Sequence, residues 1–350
     1  MRHLLIGTAF CLAAYSSFAQ LPAVKEINRA IPAPMALAPL HFLAADELMG
    51  RSTTRPEIHT AARYISEQFR SFSLKELEGT RDYFQTFELR FVRPTKNGQL
   101  SLNNITYKIG IDLLSSETAD RNGISVDGPL IYIGAGRQAD IEKADVRGKI
   151  VVMELKMNDS TTFMQGFQTI NDRSKRAVDK GAAAVIVRYN PVAEVSWNEM
   201  QHYFTKEYLL QEKAAVLPVY FLNDSNKSLQ TSISQGEQGR LQVAASDVVT
   251  VSAKNVMGFV EGTDPKLKKE FVALTAHYDH VGVADKPKTE EGKLDSIYNG
   301  ARDNAIGVTA VINAARYFVS HPPKRSLLFI AYTGEEMGLL GSSYFAEHPT

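Results

Sequence analysis

The chain has 350 residues, 44% hydrophobic and 22% charged, which is ordinary for a globular protein with room for two domains. Lys plus Arg and Asp plus Glu both number 39, so no net charge recruits nucleic acid or an anionic membrane. The single cysteine, Cys11, falls in an N-terminal stretch laid out as an export signal. The mature protein would then have neither a disulfide nor a thiol nucleophile.

That stretch has Arg2 and His3 ahead of an apolar run from Leu4 to Tyr15, then small residues at Ser17 and Ala19. This is the pattern of a secretory signal peptide over residues 1–19, cut after Ala19. A membrane anchor would need about 20 apolar residues, and the run is shorter. The expected location is therefore the periplasm or the exterior, with no membrane attachment after cleavage.

After a lead rich in Pro and Ala, Asp46 to Ser52 reads as a turn. Ala61, Ala62, Ile65, Phe69 and Phe72 follow at helical spacing, which predicts a helix over 58–72. Tyr83 to Phe91 alternates apolar and polar residues as a strand does, and Asn103 to Ile109 is a further strand candidate. From about Gly128 short apolar runs recur at Leu130–Ile133, Ile150–Met153, Ala184–Val187 and Val216–Phe221. A helical stretch from Phe163 to Lys180 ends at Gly181, as a helix C-cap would. Pro218 marks an edge position or a strand start. These runs define a β-rich insert over 125–250, flanked by residues 20–124 and 251–350 of one α/β domain.

The insert contains Gly134-Ala135-Gly136-Arg137-Gln138-Ala139, which fits a loose dinucleotide-binding pattern. The helix it would need is replaced by the short, charged Asp140–Asp145, broken at Arg147-Gly148. The glycines are better read as a turn.

The chemistry gathers between Phe271 and Leu340. The apolar run Phe271–Thr275 leads to Ala276-His277-Tyr278-Asp279-His280, and Leu327–Tyr332 leads to Thr333-Gly334-Glu335-Glu336. Between them, Asn299–Ala305 opens a helical pattern reaching Phe318. Two strands ending in ionisable residues, with a polar turn before a helix, predict the carboxyl rim of a parallel sheet. Zinc accepts neutral imidazole nitrogen and carboxylate oxygen, so His277 is a candidate ligand. Asp279 can take the other imidazole N–H and fix the ring. Asp303 can bridge two metals or, less specifically, cap the helix. Of Glu335 and Glu336, one can bind metal while the other faces an activated water. The absence of H-E-x-x-H excludes the thermolysin-type zinc helix. The absence of G-x-S-x-G, with no mature cysteine, argues against nucleophilic hydrolases.

The runs Phe271–Gly282, Ile297–Ala305 and Arg325–Phe345, with Asp46–Arg51, strongly resemble the secreted di-zinc aminopeptidase family. That family includes bacterial aminopeptidases, glutamate carboxypeptidase, the transferrin receptor and glutaminyl cyclase. Asp145–Val151 and Lys180–Ile186 are similar to a protease-associated (PA) domain. The resemblance implies a mixed-sheet α/β exopeptidase domain of the phosphorylase/hydrolase-like type, interrupted by the PA domain. It further implies that His277 binds one zinc, Asp303 bridges two, Glu336 binds the second and Glu335 is the general base. Asp279 becomes the partner of His277, His280 is structural, and the Asp303–Asn304 peptide is cis. Arg302 and Ile306 depart from the usual pattern at the pocket edge. Relatives carry a further Asp ligand and a later His ligand beyond the point matching Thr350, so a fragment of a longer enzyme, or an inactive product, is expected. The implied activity is aminopeptidase action on peptides. Glutaminyl cyclase-like or carboxypeptidase activity, or a non-catalytic binding role, are the alternatives. The oligomeric state is left open.

Overall fold

A computed structural model describes residues 21–102, 105–116, 119, 121–154, 163–189, 195–210, 216–224, 238–290 and 292–350. The signal sequence predicted over 1–19, with Cys11, lies outside the described residues, as do Asn103 and Asn104. The chain forms two compact units, one from residues up to Leu89 together with Val251–Thr350, the other from Arg90–Thr250.

The first unit begins with helices α1 (Leu21–Ala30) and α2 (Ala33–Leu43), then a 3-10 turn over Asp46–Arg51. Helix α3 (Glu57–Ser71) follows, with Glu57 in its first turn, where a negative charge complements the helix dipole. Its Ile58, Ala61, Ala62, Ile65 and Phe69 are all buried, so the helical spacing read from the sequence is the face turned to the core. Truncating the fully buried Ile65 to Ala would cost about 2–5 kcal/mol. Strand β1 (Phe84–Arg93) comes next and runs on into the second unit.

In the second unit the chain lays down β2 (Gly98–Leu102), β3 (Ile105–Lys108), β4 (Leu113–Ser115) and β5 (Ile124–Tyr132). Next are α4 (Gln138–Lys143), β6 (Ile150–Glu154), α5 (Phe163–Asp179) and β7 (Ala184–Arg188). The unit is completed by α6 (Trp197–Phe204), β8 (Tyr208–Leu209), β9 (Val219–Leu222) and β10 (Gln238–Val243). Its main sheet has the order β3-β2-β10-β5-β6-β7-β9-β4. The central run β5-β6-β7-β9 is parallel, and β6, β7 and β9 are almost wholly buried, as helix-covered parallel strands must be. Residues 90–124, assigned from the sequence to the flanking domain, cluster with this unit instead. The reason is pairing: β2 bonds to β10 along Gly239↔Leu102 to Val243↔Gly98, and β4 bonds to β9. Pro218 precedes β9, so it marks a strand start and costs no ladder bond. Gly134 and Gly136 both have positive φ ahead of the short α4, which agrees with a turn rather than a nucleotide loop.

The chain returns to the first unit along β11 (Asp247–Val260), then β12 (Phe271–His277) and the hairpin β13 (Val283–Glu290) and β14 (Lys293–Ile297). Helix α7 (Ile306–Ser320), strand β15 (Ser326–Tyr332) and helix α8 (Leu340–Glu347) follow. Strands β12 and β15 are parallel and in register from Phe271↔Ser326 to His277↔Tyr332. Both therefore end at the same rim. On the other side of β15, β11 runs antiparallel, which makes the sheet mixed. Alternation along β15 sends Leu327, Phe329 and Ala331 into a core with α3 and α7. Leu328 and Ile330 face the other way, packed with Met257 and Phe345 of α8. Helices on both faces hold the sheet, and the rim is left to the loops.

Candidate metal centre

His277 is the last residue of β12, and its side chain is 12% exposed. Its Nδ1 lies 3.2 Å from the carbonyl oxygen of Asp279 and 3.8 Å from that residue's Oδ1. The carbonyl, not the carboxylate, thus receives the Nδ1 proton, because the chain turns after His277 instead of continuing as a strand. The Nε2 lone pair is left facing outward, 3.1 Å from Asp303 Oδ1 and 3.7 Å from Glu335 Oε2.

Asp279 reaches the site by another route. It is fully buried, and its Oδ1 accepts the backbone amide of Glu335 at 3.1 Å. Its Oδ2 accepts the amide of Glu336 at 3.3 Å and the Thr53 hydroxyl at 3.2 Å. Burial pushes this carboxyl above the usual carboxylate range, while the amides, His277 and Thr53 pull it back down. The buried acid is tolerated because its lone pairs are filled.

Asp303 lies in an irregular π-type turn, Ala301–Ala305, before α7, and the Asp303–Asn304 peptide is cis, as the resemblance implies. It is not the helix cap. The amide of Gly307 is taken by Asn304 Oδ1 at 3.1 Å instead, so the Asp303 carboxylate is left available. Gly300, with φ +60, starts this turn. A Cβ there would lie 2.6 Å from His280 Cδ2 and 2.7 Å from Arg51 Nη2, so only glycine fits between them.

Glu335 and Glu336 follow β15 in a loop closed by the amides of Leu340 and Gly341 on the carbonyls of Gly334 and Thr333. Glu336 Oε1 sits 2.6 Å from Nδ1 of His280. Two overlapping groups can therefore hold a cation: His277, Glu335 and Glu336, and His280, Asp303 and Glu336, each with donor atoms within 4.8 Å of one another. The structure thus gathers every residue proposed from the sequence. It adds His280, read there as structural, as a potential donor beside Glu336. Arg302 and Ile306 are exposed at the edge. A cleft of about 200 Å³, lined by His280, Ala284 and residues 295–300, opens beside this group.

Sequence reasoning missed the support behind these loops. Arg51 is 1% exposed and Asn255 fully buried, and both bond to segments that carry site residues. The only sequence signal was the turn Leu48-Met49-Gly50-Arg51. Met49, Gly50 and Arg51 all have positive φ, a costly run that a mere surface turn would not require.

Residues 255–350 match peptidase family M28, and residues 126–227 match the PA domain. The PA match falls inside the insert predicted over 125–250, and the M28 match spans His277, Asp279, His280, Asp303, Glu335 and Glu336. Aminopeptidase YwaD of Bacillus subtilis is 27% identical over 242 residues, covering 68% of this chain and 44% of the relative. The match thus spans less than half the length of that curated relative. An aminopeptidase from Aneurinibacillus sp. strain AM-1 superposes with a TM-score of 0.58 at 21% identity, over 93% of this chain and 68% of that one. A zinc aminopeptidase from Bacillus subtilis gives 0.50 at 23% identity, over 91% and 66%. At these identities the structures establish the mixed α/β fold. No helix among the described residues is long and apolar enough to cross a membrane.

Proposed function

We propose that the protein is an exported zinc-dependent aminopeptidase that hydrolyses the N-terminal residue of peptides. One observation carries this reading: the free Nε2 face of His277 meets Asp303 at 3.1 Å and Glu335 at 3.7 Å, with Glu336 in the same cluster. An imidazole nitrogen among three carboxylates is the donor set that zinc accepts. Without a cation, those acids would repel one another at close range. The M28 match and the aminopeptidase relative support the same chemistry.

In this reading His277, Asp303 and Glu336 would hold the zinc, with two ions expected. When bound, zinc supplies Lewis acidity at a peptide carbonyl and acidifies water. Glu335, half-exposed at the rim, takes the proton of the attacking water and returns it to the departing amine. Asp279 holds the Glu335 and Glu336 amides so that both side chains project from a fixed loop. The cleft beside His280 and Tyr298 is where the peptide end is seated. Export rests on the sequence of residues 1–19.

Zinc content by elemental analysis, combined with a panel of aminoacyl anilides, tests the proposal. Hydrolysis that chelation abolishes and zinc restores is expected. Hydrolysis indifferent to chelation, or a purified protein that binds no zinc, would sink it.

A further inference from the structure

Arg51 is the one charged side chain among the largest fully buried residues of the described chain. All of its hydrogen bonds go to backbone carbonyls. Nε donates to Tyr278 O at 2.7 Å, and Nη1 to Asn299 O at 2.6 Å and to Leu43 O. Nη2 donates to Gly300 O at 3.0 Å. Its own carbonyl accepts the amide of His280 at 3.1 Å.

These partners are not scattered. Tyr278 lies between His277 and Asp279, and Asn299-Gly300 lead into the turn that carries Asp303. A single planar group therefore spans the two loops whose side chains meet at Nε2 of His277. A guanidinium can do this because its donors point in fixed, divergent directions; an ammonium has three donors on one atom.

Burying a cation without a bonded carboxylate is expensive, so something must offset it. Asp279, Asp303 and Glu336 all act on Arg51 through space and favour its charged form. Burial lowers its pKa to about 10, which still leaves it protonated at neutral pH. The acids at the rim and the cation behind them stabilise one another across the loop backbone.

We propose that Arg51 is a positioning residue for the metal centre: its guanidinium fixes the spacing between the His277 and Asp303 loops and offsets part of the repulsion among the acids before a cation enters. This rests on the zinc reading above, and the experiment separates the two.

Zinc affinity is measured by calorimetric titration of the metal-free protein and of two variants. Arg51→Lys keeps the charge and loses the fork, and Arg51→Met loses both. Arg51→Lys should weaken zinc binding about 10- to 100-fold, as loss of support behind metal ligands does, and Arg51→Met should weaken it further. Phe69→Leu, in the core of the same unit, supplies the control for lost stability alone. It should lower the melting temperature and leave zinc affinity unchanged. Unchanged affinity in Arg51→Lys, or an equal loss in Phe69→Leu, overturns the proposal. Should both Arg51 variants fail to fold, the unaltered protein still decides the matter. Zinc addition should shift the Arg51 Nε–Hε resonance, and an unmoved signal counts against the role. If the unaltered protein takes up no zinc at all, the zinc reading itself falls, and this inference with it.

Discussion

The carboxylate of Asp279 accepts the backbone amide of Glu335 at 3.1 Å, which ties the loop after β12 to the loop after β15. Two loops that are far apart in sequence are thereby held in one frame, since β12 and β15 already end level at His277↔Tyr332. Asp279→Asn tests this tie. The amide keeps one acceptor oxygen, but its NH2 must then face either the Glu335 or the Glu336 amide, donor against donor. Zinc affinity should fall about 10- to 100-fold with the fold retained, checked by calorimetry and far-UV circular dichroism. Full affinity in the folded variant would show that the tie is dispensable.

Glu335 and Glu336 are adjacent yet play different parts. Glu335 faces the open side of His277, whereas Glu336 leans on His280 at 2.6 Å. Glu335→Gln preserves shape and removes the base. Turnover should drop about 10²- to 10⁴-fold with zinc content unaltered, read by steady-state rates and metal analysis of the same sample. A variant that keeps its rate would transfer the proton to another group.

Much of this was written in the sequence, for physical reasons that can be named. Strands β12 and β15 are short apolar runs that end abruptly in His277 and in Glu335-Glu336, so both the strands and their rim were legible. Helix α3 announced itself by the spacing of Ala61, Ala62, Ile65 and Phe69. Other parts carried no local signal. The hairpin β13–β14 is built from charged and polar residues such as those of 286–290, without alternation, so it had no strand signature. Strands β2 and β3 belong to the second unit only because β10, more than 130 residues later, pairs with β2. The burial of Arg51 and Asn255 carried no local signal, because a polar side chain in a turn or strand is usually solvated. Their burial follows from carbonyls and amides supplied by distant loops. The His277 tautomer was likewise hidden, since it depends on how the chain turns at Asp279.

Asn255 is a hub beneath the second loop. Its Nδ2 donates to Gln85 Oε1 and to Gly341 O, both at 2.9 Å, and its Oδ1 accepts the Thr333 amide at 3.3 Å. Asn255→Ala leaves those buried groups without partners, which should cost about 1–3 kcal/mol in urea unfolding. Asn255→Asp should cost more, because it sets a carboxylate oxygen against the carbonyls of Gln85 and Gly341. Equal stability of Asn255→Asp and the unaltered protein would contradict this account.

Glu261 gives a pH dependence whose sign can be worked out. Its carboxylate is clasped by Lys75 and, at 2.8 Å, by Lys268, and these bonds hold its pKa down at about 2 against an ordinary 4.5. The folded form therefore binds this proton less readily than the unfolded form. The stabilisation is complete above the ordinary value and is lost as pH falls from 4.5 towards about 2. Glu261→Gln should consequently melt below the unaltered protein at neutral pH, with the gap closing across that acidic window. The cluster faces solvent, so molar salt should shrink the gap at every pH. Carboxyl resonances followed by NMR would locate the titration directly. A midpoint for Glu261 near the ordinary carboxylate value would mean that the two lysines do not grip it in solution.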